Sequence, residues 1–155
     1  MAIGILEVFL VSAKGLSGND FLGAADPYVV VQYKSEERRS SVATEGGGNP
    51  SWNEKIKLRV EYPGKGNDYK LSLRIMDKDT FSADDFMGEA IIYVKDLLVL
   101  GVENGTAELH PLKYSVTNAN QCYSGEIQVG LSFTLKEVTD VNGEEEYGGW
   151  KESDY

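Results

Sequence analysis

Apolar and polar positions alternate with a period of two in five stretches of the chain: Leu6 to Leu10, Val29 to Val31, Ile56 to Val60, Leu71 to Ile75 and Ile127 to Leu135. Successive side chains of a strand point to opposite faces, so each stretch predicts a strand with one buried and one wet face. Turn-forming clusters at Gly15 to Gly23, Ser35 to Glu37, Gly46 to Pro50, Pro63 to Asn67, Asp77 to Asp85, Asn104-Gly105 and Thr117 to Gln121 punctuate the chain. Spacing of about ten residues between such signals predicts about eight strands. Only Lys95 to Leu100 reads as a turn of helix. The expected fold is all-β, an eight-stranded antiparallel β-sandwich over residues 1–136, followed by an acidic, Gly-rich flexible tail over 137–155.

Composition narrows the chemistry. With 155 residues, 41% of them hydrophobic, the chain is long enough to bury one ordinary core. Its one cysteine, Cys122, and one histidine, His110, can form neither an internal disulfide nor a Cys/His zinc cage. The first fifteen residues lack a basic start and are broken by Glu7, so they read as a strand rather than a secretory signal. No run approaches the roughly 20 apolar residues of a spanning helix, and a soluble protein is expected. The net charge of −10 opposes binding to nucleic acid or anionic lipid unless something reverses the repulsion.

The candidate chemistry is carboxylate. Asp20 and Asp26 lie in one expected loop, and Asp77, Asp79, Asp84 and Asp85 in another. Loops at one end of a sandwich converge, which would set these groups within a few ångströms of one another. Many hard oxygen donors without imidazole or thiolate favour Ca²⁺, whose six to eight ligands suit flexible loops. An EF-hand does not fit, because its sixth and twelfth loop positions would fall on Ser82 and Gly88. The segment Asp77-Lys78-Asp79-Thr80 also matches the start of a phosphatase nucleophile loop, but the helices of the α/β fold that such a loop needs are missing. Lys55, Lys57 and Arg59 alternate with Ile56, Leu58 and Val60, giving one strand a basic outer face. Neither His110 nor Cys122 sits in a nucleophile motif, so no enzymatic activity is expected.

Several of these segments together resemble the C2 domain. The likeness is carried by Gly4 to Val8, Ala13, Leu16, Asp20 spaced by six from Asp26-Pro27-Tyr28-Val29, the run Asn49-Pro50-Ser51-Trp52-Asn53-Glu54, and Asp77-Lys78-Asp79 with Asp85 and Gly88 beyond. The resemblance covers nearly all of residues 1–135 and implies the type II strand order. It implies Asp20, Asp26, Asp77, Asp79 and Asp85 as Ca²⁺ ligands, with Asn19, Lys78 and Ser82 as supplementary oxygens. Asp84 falls one place off the pattern and is read as a charge beside the site or in solvent. Trp52 is read as a core residue.

The chain is most similar to small stand-alone plant C2 proteins of the elicitor-responsive class. That likeness implies a monomeric, non-enzymatic module that binds anionic phospholipid when calcium rises and moves from the cytoplasm to the plasma membrane, in plant defence signalling. Without the five ligand aspartates, residues 1–135 carry 13 acidic and 13 basic residues, so calcium would neutralise an otherwise balanced framework. Phe21, Leu22 and Phe81 at the loop tips are candidates for insertion into the lipid, and Lys55, Lys57 and Arg59 for headgroup contact. The alternative implied by the same likeness is a calcium-independent adaptor or RNA-trafficking protein using the basic strand and the acidic tail, which could also dock a protein partner.

Overall fold

The structure, a computed structural model, describes residues 1–16, 25–43, 47–64, 69–79 and 83–138. Eight strands follow in chain order: β1 (Ala2–Lys14), β2 (Pro27–Tyr33), β3 (Glu36–Arg39), β4 (Ser51–Tyr62), β5 (Lys70–Asp77), β6 (Asp85–Tyr93), β7 (Thr106–Thr117) and β8 (Tyr123–Val138). One helix, α1 (Lys95–Asn104), lies between β6 and β7. All pairings are antiparallel, in the order β3-β2-β5-β6-β7-β8-β1-β4. The β6–β7 link is a single pair, Glu89 with Thr117, so the order divides into two four-stranded layers joined at one corner. This is the expected all-β sandwich.

The core lies between the layers. Leu6, Val8 and Leu10 of β1 and Ile127, Val129, Leu131 and Phe133 of β8 meet Val29, Val31, Leu71, Leu73 and Ile75 of the other layer. These are the inward positions of the period-two pattern, and burying each Val, Leu or Ile contributes about 1.5–3 kcal/mol. The outward positions of β4, Lys55, Lys57 and Arg59, are exposed as expected, while Ile56, Leu58 and Val60 are buried.

Three elements depart from the sequence reading. The helix runs four residues past Leu100, through Gly101, and ends at Gly105, whose φ of 89° supplies the left-handed turn that closes it. The Phe133 ring packs directly onto Gly101, where an added Cβ would sit 2.3 Å from Phe133 Cδ2. Glu36 and Glu37, expected in a turn, open β3 instead, where a four-residue edge strand of charged residues carries no apolar alternation. Finally, β8 extends through Glu137 and Val138, which pair with Ile3 and Ala2. The remainder of the expected tail, 139–155, lies outside the described residues.

Strand direction sets the two ends of the sandwich. The start of β2, the end of β5 and the start of β6 share one end, where Pro27 pairs with Asp77 and Asp77 with Asp85. The helix, Tyr62 and the end of β8 lie at the other.

Candidate metal centre

Four of the five expected carboxylate residues fall on described positions. Asp26 immediately precedes β2, Asp77 ends β5, Asp79 follows it and Asp85 opens β6. Hydrogen-bonded neighbours on adjacent antiparallel strands have Cα atoms roughly 4.5–5.5 Å apart, so the register alone gathers these backbones at one edge. Asp20, Asn19, Phe21, Leu22, Phe81 and Ser82 lie outside the described residues.

The backbone around Asp26 is fixed from three directions. Its carbonyl accepts the Lys78 N–H at 3.0 Å, and its own N–H donates to Asp77 Oδ1 at 2.9 Å. On either side, the Ala25 carbonyl accepts the Gly47 N–H at 3.0 Å, and the Pro27 carbonyl accepts the Ala43 N–H at 2.8 Å and the Trp52 indole N–H at 3.2 Å. The Trp52 indole and the amides of Ala43, Gly47 and Lys78 together hold the backbone around Asp26. Trp52 packs partly buried against the core while its nitrogen reaches the site.

Asp84, expected beside the site or in solvent, stands beside Asp79. Its Oδ1 accepts the Asp79 N–H at 2.9 Å and its Oδ2 accepts the Tyr28 hydroxyl at 2.5 Å, so one carboxylate ties the Asp79 backbone to β2. The hydrogen bond from Tyr28, followed by that from the Asp79 backbone, holds the Asp84 carboxyl below its ordinary range. Burial, then the bond to Asp84, raises the Tyr28 hydroxyl above its own. The Arg39 guanidinium stands 5.6 Å from the Tyr28 ring centroid and completes the chain of contacts. No spacing motif signals this link, because it joins residues 56 apart in sequence.

Among the described residues, no three acidic, histidine or cysteine side chains converge to hold an ion. Two carboxylates at this edge accept backbone N–H groups. Asp77 Oδ1 holds the Asp26 amide, and Asp84 holds that of Asp79. The donor set, carboxylates with the Lys78 carbonyl beside them, fits a hard cation with flexible coordination and suits no soft metal.

Two hydrogen bonds depend on Asp84. Asp84→Ala is expected to weaken any calcium binding at this edge by about tenfold, without altering the ligands themselves. Calorimetric titration of the variant against wild type measures the shift.

An antiparallel two-layer sandwich with an acidic edge built from the β5–β6 turn and the segment before β2 defines the class, and the matching C2 domain model spans residues 4–112: the chain belongs to the C2 domain family. Among curated proteins it is 55% identical to 16 kDa phloem protein 1 of Arabidopsis thaliana, over 99% of this chain and 98% of that one. It is 53% identical to elicitor-responsive protein 1 of Oryza sativa subsp. japonica, over 97% and 96%. A solved C2 domain-containing protein from an elicitor-responsive gene superposes with a TM-score of 0.69 at 38% identity, covering 88% of this chain and 92% of the other. The C2A domain of a plant extended synaptotagmin shares the fold at a TM-score of 0.67, covering 90% of this chain and 99% of that domain.

Proposed function

We propose that the chain is a non-enzymatic module that binds anionic phospholipid in response to calcium. The observation that supports it most is the register placing Asp26, Asp77 and Asp85 at adjacent strand ends, with Asp26 and Asp79 held by backbone hydrogen bonds. Asp20, Asp26, Asp77, Asp79 and Asp85 would hold the cations, with the oxygens of Asn19, Lys78 and Ser82 supplementing them. Bound calcium supplies positive charge and open coordination positions for lipid phosphate oxygens.

The chain's own residues do the rest. Five carboxylates give the end of the sandwich about five negative charges, enough to repel an anionic leaflet, where each nearby charge is worth about 1 kcal/mol. Neutralising them removes that barrier, and the charge of the remaining residues of 1–135 is balanced. Phe21, Leu22 and Phe81 would then enter the interface, each contributing on the order of 1.5–3 kcal/mol. Lys55, Lys57 and Arg59 offer a second, purely electrostatic contact along the outer face of β4. In a cell this chemistry moves the protein from the cytoplasm to the plasma membrane as calcium rises, and the likeness to an elicitor-responsive protein is in keeping with a part in defence signalling.

Co-sedimentation with phosphatidylserine vesicles, in calcium and in chelator, tests the reading. Pelleting only with calcium is expected; equal pelleting in both, or none in either, contradicts it. The basic β4 face favours a second reading, a calcium-independent adaptor or RNA-trafficking protein. That would appear as salt-sensitive RNA retention in chelator.

A further inference from the structure

Away from the aspartate edge, an open groove of about 560 Å³ crosses the outer face of β4, β1 and β8. Four cations line it, Arg38, Lys57, Arg59 and Lys136, against one acid, Glu7. Two pairing rows fix its floor: Arg59, Ile5 and Thr134 lie side by side, as do Lys57, Glu7 and Ser132. Arg38 and Arg59 each contact a half-exposed glutamate two residues away, Glu36 at 2.9 Å and Glu61 at 3.1 Å. Exposed pairs of this kind are weak and exchange readily with other carboxylates. A concentrated positive face on a chain of net charge −10 calls for an anionic occupant.

We infer that the occupant is the chain's own C-terminal segment, residues 139–155, docked across this groove by charge. That segment carries six acids, Asp140, Glu144, Glu145, Glu146, Glu152 and Asp154, against the single base Lys151. It leaves β8 at Val138, two residues beyond Lys136 of the groove itself. Asn142-Gly143, four and five residues on, is a dipeptide that reverses chain direction. Ser132, on the inner row, is six strand residues back from Val138, about 20 Å. The residues after Gly143 reach up to about 40 Å when extended, so the acids can pass over every groove cation. A tether this short holds them there at a local concentration in the millimolar range.

The test uses the full ¹⁵N-labelled chain in chelator, with no lipid, so its outcome is independent of the calcium reading. Raising salt from about 0.1 M to about 1 M shortens the screening length from ~10 Å to ~3 Å. Amide signals of Glu7, Lys57 and Thr134 are expected to move together with those of Glu144 to Glu146. The triple substitution Glu144→Gln, Glu145→Gln, Glu146→Gln should move the groove signals to the same endpoint. Lys57→Glu with Arg59→Glu should release the segment's signals, and adding Glu144→Lys, Glu145→Lys and Glu146→Lys should restore the wild-type pattern. Groove signals indifferent to both salt and the triple substitution overturn the proposal. So do shifts that vanish on dilution, which would assign the groove to the segment of a second copy. Should the groove variant fail to fold, the salt and segment arms still decide.

Discussion

Asp77→Asn combined with Asp79→Asn is expected to abolish calcium-triggered vesicle binding while leaving the fold intact. Asparagine keeps an oxygen where Asp77 Oδ1 accepts the Asp26 N–H, so the link between β2 and β5 survives. The Asp79 contact to Asp84 runs through its backbone N–H and is untouched. Two negative charges leave an edge where they repel their neighbours, so the metal-free variant should melt at or above the wild-type temperature. Calcium separates the two proteins. A ligand at one hundred times its Kd stabilises the folded state by about 2.7 kcal/mol. For a domain of this size, at about 2–4 °C per kcal/mol, wild type should gain roughly 5–10 °C in Tm and the double variant nothing. A calcium-dependent rise in the variant would place the site elsewhere.

The largest expected loss of stability is at Phe133. Its ring is fully buried and fills the space left by two glycines, one in β1 and one in α1. A Cβ on Gly4 would come within 2.5 Å of Phe133 Cζ, and one on Gly101 within 2.3 Å of Cδ2. Phe133→Ala should therefore cost about 3–5 kcal/mol, since the helix cannot follow the retreating side chain. Gly101→Ala alone should overpack the same site at a cost of about 1–3 kcal/mol. In the Phe133→Ala background, however, the extra methyl enters the cavity, and the penalty should vanish or reverse. Urea denaturation of the four proteins of this cycle measures the coupling. Strict additivity would mean that the ring and Gly101 do not meet.

The reach of sequence reasoning followed the physics of each signal. β1, β4, β5 and β8 were legible because one face is buried and the other wet, which writes a period of two into the residues. β3 was not, because Glu36, Glu37, Arg38 and Arg39 form a charged edge strand with nothing to bury. β7 was obscured by its exposed Leu109, His110, Pro111 and Leu112, which fall at a register break. The helix runs past Leu100 through Gly101, whose missing side chain makes room for Phe133, 32 positions away. At the acidic edge, the register pairs Asp77 with Asp85 and sets Asp26 one residue before Pro27, the partner of Asp77. The Tyr28–Asp84–Asp79 link and the meeting of Arg38 with Lys136 in one groove depend on tertiary placement, which no local pattern encodes.

In the proposed function one acidic edge couples calcium to anionic lipid, and linkage makes the coupling measurable from the calcium side alone. If bound calcium raises affinity for a phosphatidylserine surface, that surface must raise affinity for calcium by the same factor. Calorimetric titration of calcium into the chain, with and without phosphatidylserine vesicles, should give a Kd that falls at least tenfold when vesicles are present, about 1.4 kcal/mol of coupling. An unchanged Kd, or the absence of any saturable calcium binding, would contradict the account.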